Sequence, residues 1–363
     1  KVKALLDQAV DCKALTPTRC RAMKELVSVG EAGAGLLSQA MVSSEGRHRQ
    51  AAIVALGHVG TAEHGKELTA LIQDRDRGVR EAAITAIGRL QPPNAVEVLA
   101  RAIGSENVNE KLVATVALGR TKSPGAVGPL LATLDHFHPK VKMSAARALG
   151  FLGDKRATMP LAVMLADPVT VPPVRRVVCE ALGRLGDPDG VAILLQILGD
   201  PDGSVRTEAI RSLGQIGDDR SVPALQLLIR NDSLTEASAT ALGKIGDSDG
   251  LPALLRVLNE RRHPKEVLKT VFWAVGSIRS PSSTTALKSF LKDEDKDMVL
   301  WATDGLGRLR DRQATEALLG VLRREEIELK EMAAWALQQI SGRNLGVDVE
   351  RWEKWVYAPD RAR

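Results

Sequence analysis

Apolar residues recur along the chain at steps of three and four, and no stretch sustains the alternation of a strand, so the pattern predicts helices throughout. The helices come in a repeating phrase. "VREAAITAIGRL" runs from Val79 to Leu90, "VKMSAARALGFLGD" from Val141 to Asp154, "VRTEAIRSLGQIGDD" from Val205 to Asp219 and "LTEASATALGKIGD" from Leu234 to Asp247. Aligned on the Leu-Gly or equivalent dipeptide, the copies are anchored at Gly57, Gly88, Gly119, Gly150, Gly183, Gly214, Gly243, Gly276 and Gly307, with Gln338 in the last. Successive anchors stand 31, 31, 31, 33, 31, 29, 33, 31 and 31 residues apart. A period this regular marks a stacked array in which each unit buries its apolar face against the next. "LVSVG" at Leu26 to Gly30 matches "LGHVG" at Leu56 to Gly60 and adds a degenerate first copy, about eleven units in all.

Within a unit the phrase helix is followed by a turn and a second amphipathic helix, as in "SVPALQLLIR" (Ser221 to Arg230). Residues five and one before the anchor and two after it are nearly always apolar, for example Ala209, Leu213 and Ile216, and form the buried stripe. The residue three before the anchor lies about 200° from the Leu position and is expected to face outward. That row reads Val54, Thr85, Val116, Arg147, Glu180, Arg211, Thr240, Trp273, Asp304 and Trp335. Gly60, Gly153, Gly186, Gly217 and Gly246 stand where each phrase helix must stop, and a left-handed glycine closes a helix at little cost. The anchor glycine sits inside the helix, where it costs about 1 kcal/mol relative to alanine, so it is expected to admit a neighbouring helix at close range.

The "VR…A…ALG.IGD" phrase and the "A…LL..L.D" helix after it resemble HEAT repeats, in particular the short bacterial kind similar to the phycobilin-lyase-type repeat family. The resemblance implies an all-α, right-handed α-solenoid over residues 1–363: a degenerate repeat at 1–30, regular repeats at 31–341 and a C-terminal cap at 342–363. It implies further that the phrase helices line the concave side. The basic residues eight before the first six anchors, Arg49, Arg80, Lys111, Lys142, Arg175 and Arg206, would then bond turn aspartates of adjacent units as a structural ladder, a row that breaks at Thr235, Leu268 and Val299 before Lys330; a phosphate-binding stripe is the other use of such a row.

Composition fits an array. Only ten of 363 residues are aromatic, so the interior is built from Ala, Leu, Val and Ile. No apolar run reaches the length of a membrane span, and the chain reads as soluble. It starts at Lys1, which points to processing or trimming. The 50 basic and 45 acidic residues leave a net charge of +5, which permits an acidic partner without demanding one. Cys179 falls on the inward side of a repeat helix as a small core residue. Cys12 and Cys20 flank "KALTPTR", where Thr16 would cap a helix and Pro17 occupy its first turn. A disulfide between them would place the chain in an oxidising compartment, periplasmic or secreted; without it the chain would be cytoplasmic.

All five tryptophans fall in the last quarter, at 273, 301, 335, 352 and 355. Trp352 and Trp355, in "DVERWEKWV", are expected to cover the open end of the array on a helix started by Asp348. Trp273, Trp301 and Trp335 are either packing or a contact surface with Asp304, and Arg147, Glu180 and Arg211 form a polar stretch of the same face; these seven are the expected partner-binding residues. Trp301, Asp304, Trp273 and Arg308 loosely resemble the set used by HEAT-like alkylpurine DNA glycosylases, at the wrong spacing. The His-Glu dipeptides of deoxyhypusine hydroxylase are missing from the sequence. His136 and His138 in "DHFHP" are too few ligands for a metal. The sequence therefore calls for no catalytic residue, metal or cofactor. It reads as a non-enzymatic scaffold binding a protein, the alternatives being nucleic-acid binding along the basic row or a glycosylase.

Overall fold

A computed structural model describes residues 2–12, 14–16, 18 and 20–357, and every regular element among them is helical. The phrase helices are α1 (Gly46–Val59), α2 (Arg77–Leu90), α3 (Val108–Arg120), α4 (Pro139–Leu152), α5 (Pro172–Leu185), α6 (Gly203–Ile216), α7 (Thr235–Ile245), α8 (Lys265–Ser277), α9 (Lys296–Leu309) and α10 (Ile327–Ser341). A shorter second helix follows each of α1 to α9, usually through a 3-10 turn. The chain divides into two compact units, Lys1–Leu185 and Gly186–Arg363. In the first, α1 to α5 pack side by side in chain order with the second helices laid against them; in the second, α6 to α10 do the same. Each unit is thus a run of helical hairpins, the all-α solenoid class read from the period.

The anchor glycines explain the close stacking. A methyl group at Gly88 would lie 2.6 Å from Ala117 Cβ, one at Gly119 would lie 2.8 Å from Ala148 Cβ, and one at Gly214 would lie 2.6 Å from Ala241 Cα. In each pair the alanine stands two residues before the next anchor, so the bare backbone of one repeat receives the small side chain of the following one. At Gly276 the partner is Gly305 Cα, 2.6 Å from where a Cβ would be.

Helix stops follow local chemistry. Gly153, Gly217 and Gly246 take the left-handed conformation at the ends of α4, α6 and α7. Gly60 departs from this expectation: it is extended, with φ −78° and ψ 175°. Gln91 and Arg310 close α2 and α9 in the left-handed region without being glycine, which tertiary packing tolerates at some local cost. Asp154, Asp187, Asp218, Asp247 and Asp311 then accept a backbone N–H two residues on and start the next turn.

Both ends are finished by small devices. Cys12 and Cys20 are paired as a disulfide with Cα atoms 5.8 Å apart. The following helix starts at Arg21 with Cys20 as its N-cap, accepting from Met23 N–H. Thr16 therefore does not cap it, and instead meets Thr18 Oγ1 at 3.3 Å; Pro17 lies outside the described residues. At the other end, helix Val349–Val356 begins at Asp348. Trp352 is fully buried there, donates its indole N–H to Gly346 O at 2.7 Å and meets Trp355 edge to face.

Candidate functional site

The basic row is largely turned to structural use. Arg49, itself buried, grips Asp74 of the next repeat through two nitrogens at 2.8 and 3.1 Å and donates to the carbonyls of Ser43 and Ser44. Arg80 holds Glu110 at 2.7 Å and the carbonyls of Asp74 and Arg75. Arg206 donates to the carbonyls of Asp200 and Pro201, and Arg175 to that of Thr170. The arginine thus ties down the turn five and six residues behind it, and at Arg49 and Arg80 a carboxylate of the next unit as well. Burial pushes the Glu110 carboxyl up, but the hydrogen bonds from Arg80 and Ser105 outweigh it and hold its pKa below the usual value. Lys111 and Lys142 stand near His136, whose pKa is lowered by burial and then by Lys111. His136 and His138 serve the turn: His136 accepts from His138 N–H, and His138 caps α4 by accepting from Lys140 N–H. No group of three or more metal-ligating side chains occurs among the described residues.

In the second unit Trp273, Trp301 and Trp335 are half-buried. The Trp273 ring lies across Gly243 and the Trp335 ring across Gly307, since a methyl group at those glycines would lie 2.9 and 2.5 Å from the rings. Trp301 packs on buried Phe272 at 6.0 Å between ring centres. Asp304 accepts from Arg308 at 2.8 Å, and Arg211 pairs loosely with Glu208 at 3.8 Å.

In the first unit Val116 and Arg147 of the outward row are exposed, while Val54, Thr85 and Glu180 are half-buried. Between α3 and α4 runs a groove of about 710 Å³, with Leu112, Val116, Met143, Ala148 and Phe151 as its apolar lining. Its polar lining includes Arg120, Lys122, Lys140 and Arg147. Phe151 is 65% exposed and Val116 45%. Of the predicted contact residues, Arg147 lines this groove. Glu180 sits beside it, 3.9 Å from Arg147 and 2.7 Å from Arg184. Arg184 in turn lies over the Phe151 ring at 4.1 Å.

The sequence reading missed Phe151, although a signal was there. The position one after the anchor reads His58, Arg89, Arg120, Phe151 and Arg184 across the first unit, all exposed, and Phe151 is the single apolar residue among them. Arg89, Arg120 and Arg184 supply the positive charge of the row. Arg89 donates to His58 Nε2 at 2.7 Å, burial and then the Arg89 charge lower the His58 pKa, and burial and then Arg120 lower that of Arg89.

With this geometry in hand, the chain matches the family of HEAT repeats over residues 33–115, 99–171, 170–239 and 230–306, and it belongs to that family. Among curated relatives, phycocyanobilin lyase subunit alpha of Picosynechococcus sp. is 28% identical over 186 residues, which is 50% of this chain and 62% of that protein, so the chain spans less than two thirds of its length. Among solved structures, the fold is shared with Kap95p, which binds RanGDP (TM-score 0.64, 12% identity, 98% of this chain and 58% of that one). It is shared also with Kap121p (TM-score 0.54, 14% identity, 98% and 46%). The lyase relative corrects one expectation: a chain of this repeat type was read as performing no reaction, yet the curated relative is a subunit of an enzyme. Repeat periodicity reports how helices stack and carries no information on chemistry. Among the described residues no helix is long and apolar enough to cross a membrane.

Proposed function

We propose that the chain binds a protein partner on the exposed face of its phrase helices. The observation that carries this reading is the face itself: in the first unit the consecutive helices α3 and α4 leave apolar and cationic side chains uncovered along the groove of Arg147 and Phe151. A stacked array presents such a face without disturbing its own contacts, because each repeat touches only its neighbours. The solved Kap95p structure, a complex with RanGDP, supports partner binding as a use of this fold. A phosphate stripe along the ladder has less support, since Arg49, Arg80 and Arg206 are engaged by carboxylates and carbonyls.

The test is capture on the full chain from an extract of its source cells, followed by hydrogen exchange on the complex. Protection is expected on the phrase helices, α3 and α4 among them. Protection confined to the second helices, or capture of no protein, would refute the reading. A second reading rests on the 28% identity to the lyase subunit: the chain is one subunit of a lyase acting on a phycocyanobilin-like chromophore. Mixing the purified chain with phycocyanobilin checks it, a saturable change in the absorption band supporting it and an unchanged spectrum removing it.

A further inference from the structure

The groove between α3 and α4 combines two features that point to one kind of occupant. Its floor is apolar and open to solvent, with Phe151 65% and Val116 45% exposed. Its rim carries Arg120, Lys122, Lys140 and Arg147, and no carboxylate stands among the described residues that line it. The neighbouring carboxylate, Glu180, is taken up by Arg184 at 2.7 Å. That leaves the rim positive and the floor apolar.

We infer that this groove takes an acidic protein segment, resting on the partner-binding reading above and naming the partner's chemistry. A large apolar side chain seats against Val116, Met143 and Phe151 and excludes water, while carboxylates on either side of it meet the rim cations. The apolar anchor supplies affinity and the charges supply steering and selection. A single-stranded nucleic acid fits less well: one face of the Phe151 ring is covered by the Arg184 guanidinium at 4.1 Å, and phosphates would use the rim while leaving the aliphatic floor unfilled.

Selection of random dodecapeptides on the immobilised full chain, with counter-selection on a Phe151→Ala chain, tests the assignment. The peptides that depend on Phe151 are expected to set Asp and Glu around at least one large apolar residue. A fluorescein-labelled peptide from that set should lose about tenfold in affinity with Phe151→Ala, and about as much with Lys140→Glu and Arg147→Glu combined. Because these side chains are exposed or line an open groove, unchanged helical circular dichroism is expected in every variant. A selected set that is basic or lacks apolar residues, a peptide indifferent to Phe151→Ala, or a single-stranded oligonucleotide that binds more tightly than the peptide and needs Phe151 would each overturn the assignment. If captured partners still protect other phrase helices when the groove fails, the groove assignment falls and the broader reading stands.

Discussion

Replacing Gly214 by alanine puts a methyl group where the next repeat already stands. Gly214 is the third residue from the end of α6, and the new Cβ would lie 2.6 Å from Ala241 Cα and 2.8 Å from Ala241 Cβ on α7. Ordinary carbon contacts are about 3.5–4.0 Å, so the helices must part by about 1 Å or bend. The obstacle is backbone and cannot rotate away. Overpacking of this kind costs about 1–3 kcal/mol, against about 1 kcal/mol gained from replacing a helical glycine. The expected result is a net loss of up to about 2 kcal/mol. Gly320 is the control in the same unit: it too stands third from the end of its helix, Thr315–Leu322, and nothing lies within 4 Å of a methyl group there. Gly320→Ala should stabilise by up to about 1 kcal/mol. All five tryptophans belong to this unit, so their fluorescence during urea unfolding reports it selectively, with the slope expected to stay constant. If Gly214→Ala raised the midpoint as Gly320→Ala does, the argument that anchor glycines exist for close approach would be refuted.

Two further outcomes follow from the electrostatics. Arg80→Ala leaves the buried Glu110 without its ion-pair partner and should cost about 3 kcal/mol, with Arg80→Met combined with Glu110→Leu recovering most of it; equal losses in the single and double variants, measured by denaturant unfolding, would show that the pair is not what matters. His48 bridges α1 to the N-terminal helix Val2–Val10 through Asp7 at 2.9 Å and also meets Glu45, the N-cap of its own helix, at 2.7 Å, and the Asp7 hydrogen bond, against some loss to burial, raises its pKa above 6.5. A raised folded-state pKa means that this contribution is full below the unfolded value near 6.5 and is lost as pH rises through the folded one. The melting temperature should fall over that window and Asp7→Asn should flatten the profile; an NMR titration placing the ring at or below 6.5 would remove the effect.

The sequence by itself determined what is set inside one helix or one turn. The phase of apolar residues at 3.6 per turn marks the buried stripe, the aspartates after α4, α6 and α7 cap the next turn through their own neighbours, and the period counts the units. Gly60, Gln91 and Arg310 mark the limit of that local reading, since the glycine there is extended and the two non-glycine residues are left-handed. Contacts between repeats belong to the tertiary structure, because residues about 31 apart meet only when neighbouring helices stack in register. Phase alone turned Trp273 and Trp335 outward, yet each ring folds down over the bare glycine of the preceding repeat and is half-buried. Phe151, one residue after its anchor rather than three before it, stays exposed beside Arg147. The same stacking that hides the tryptophans leaves that groove open, and a one-dimensional pattern carries no term for the distance between two helices.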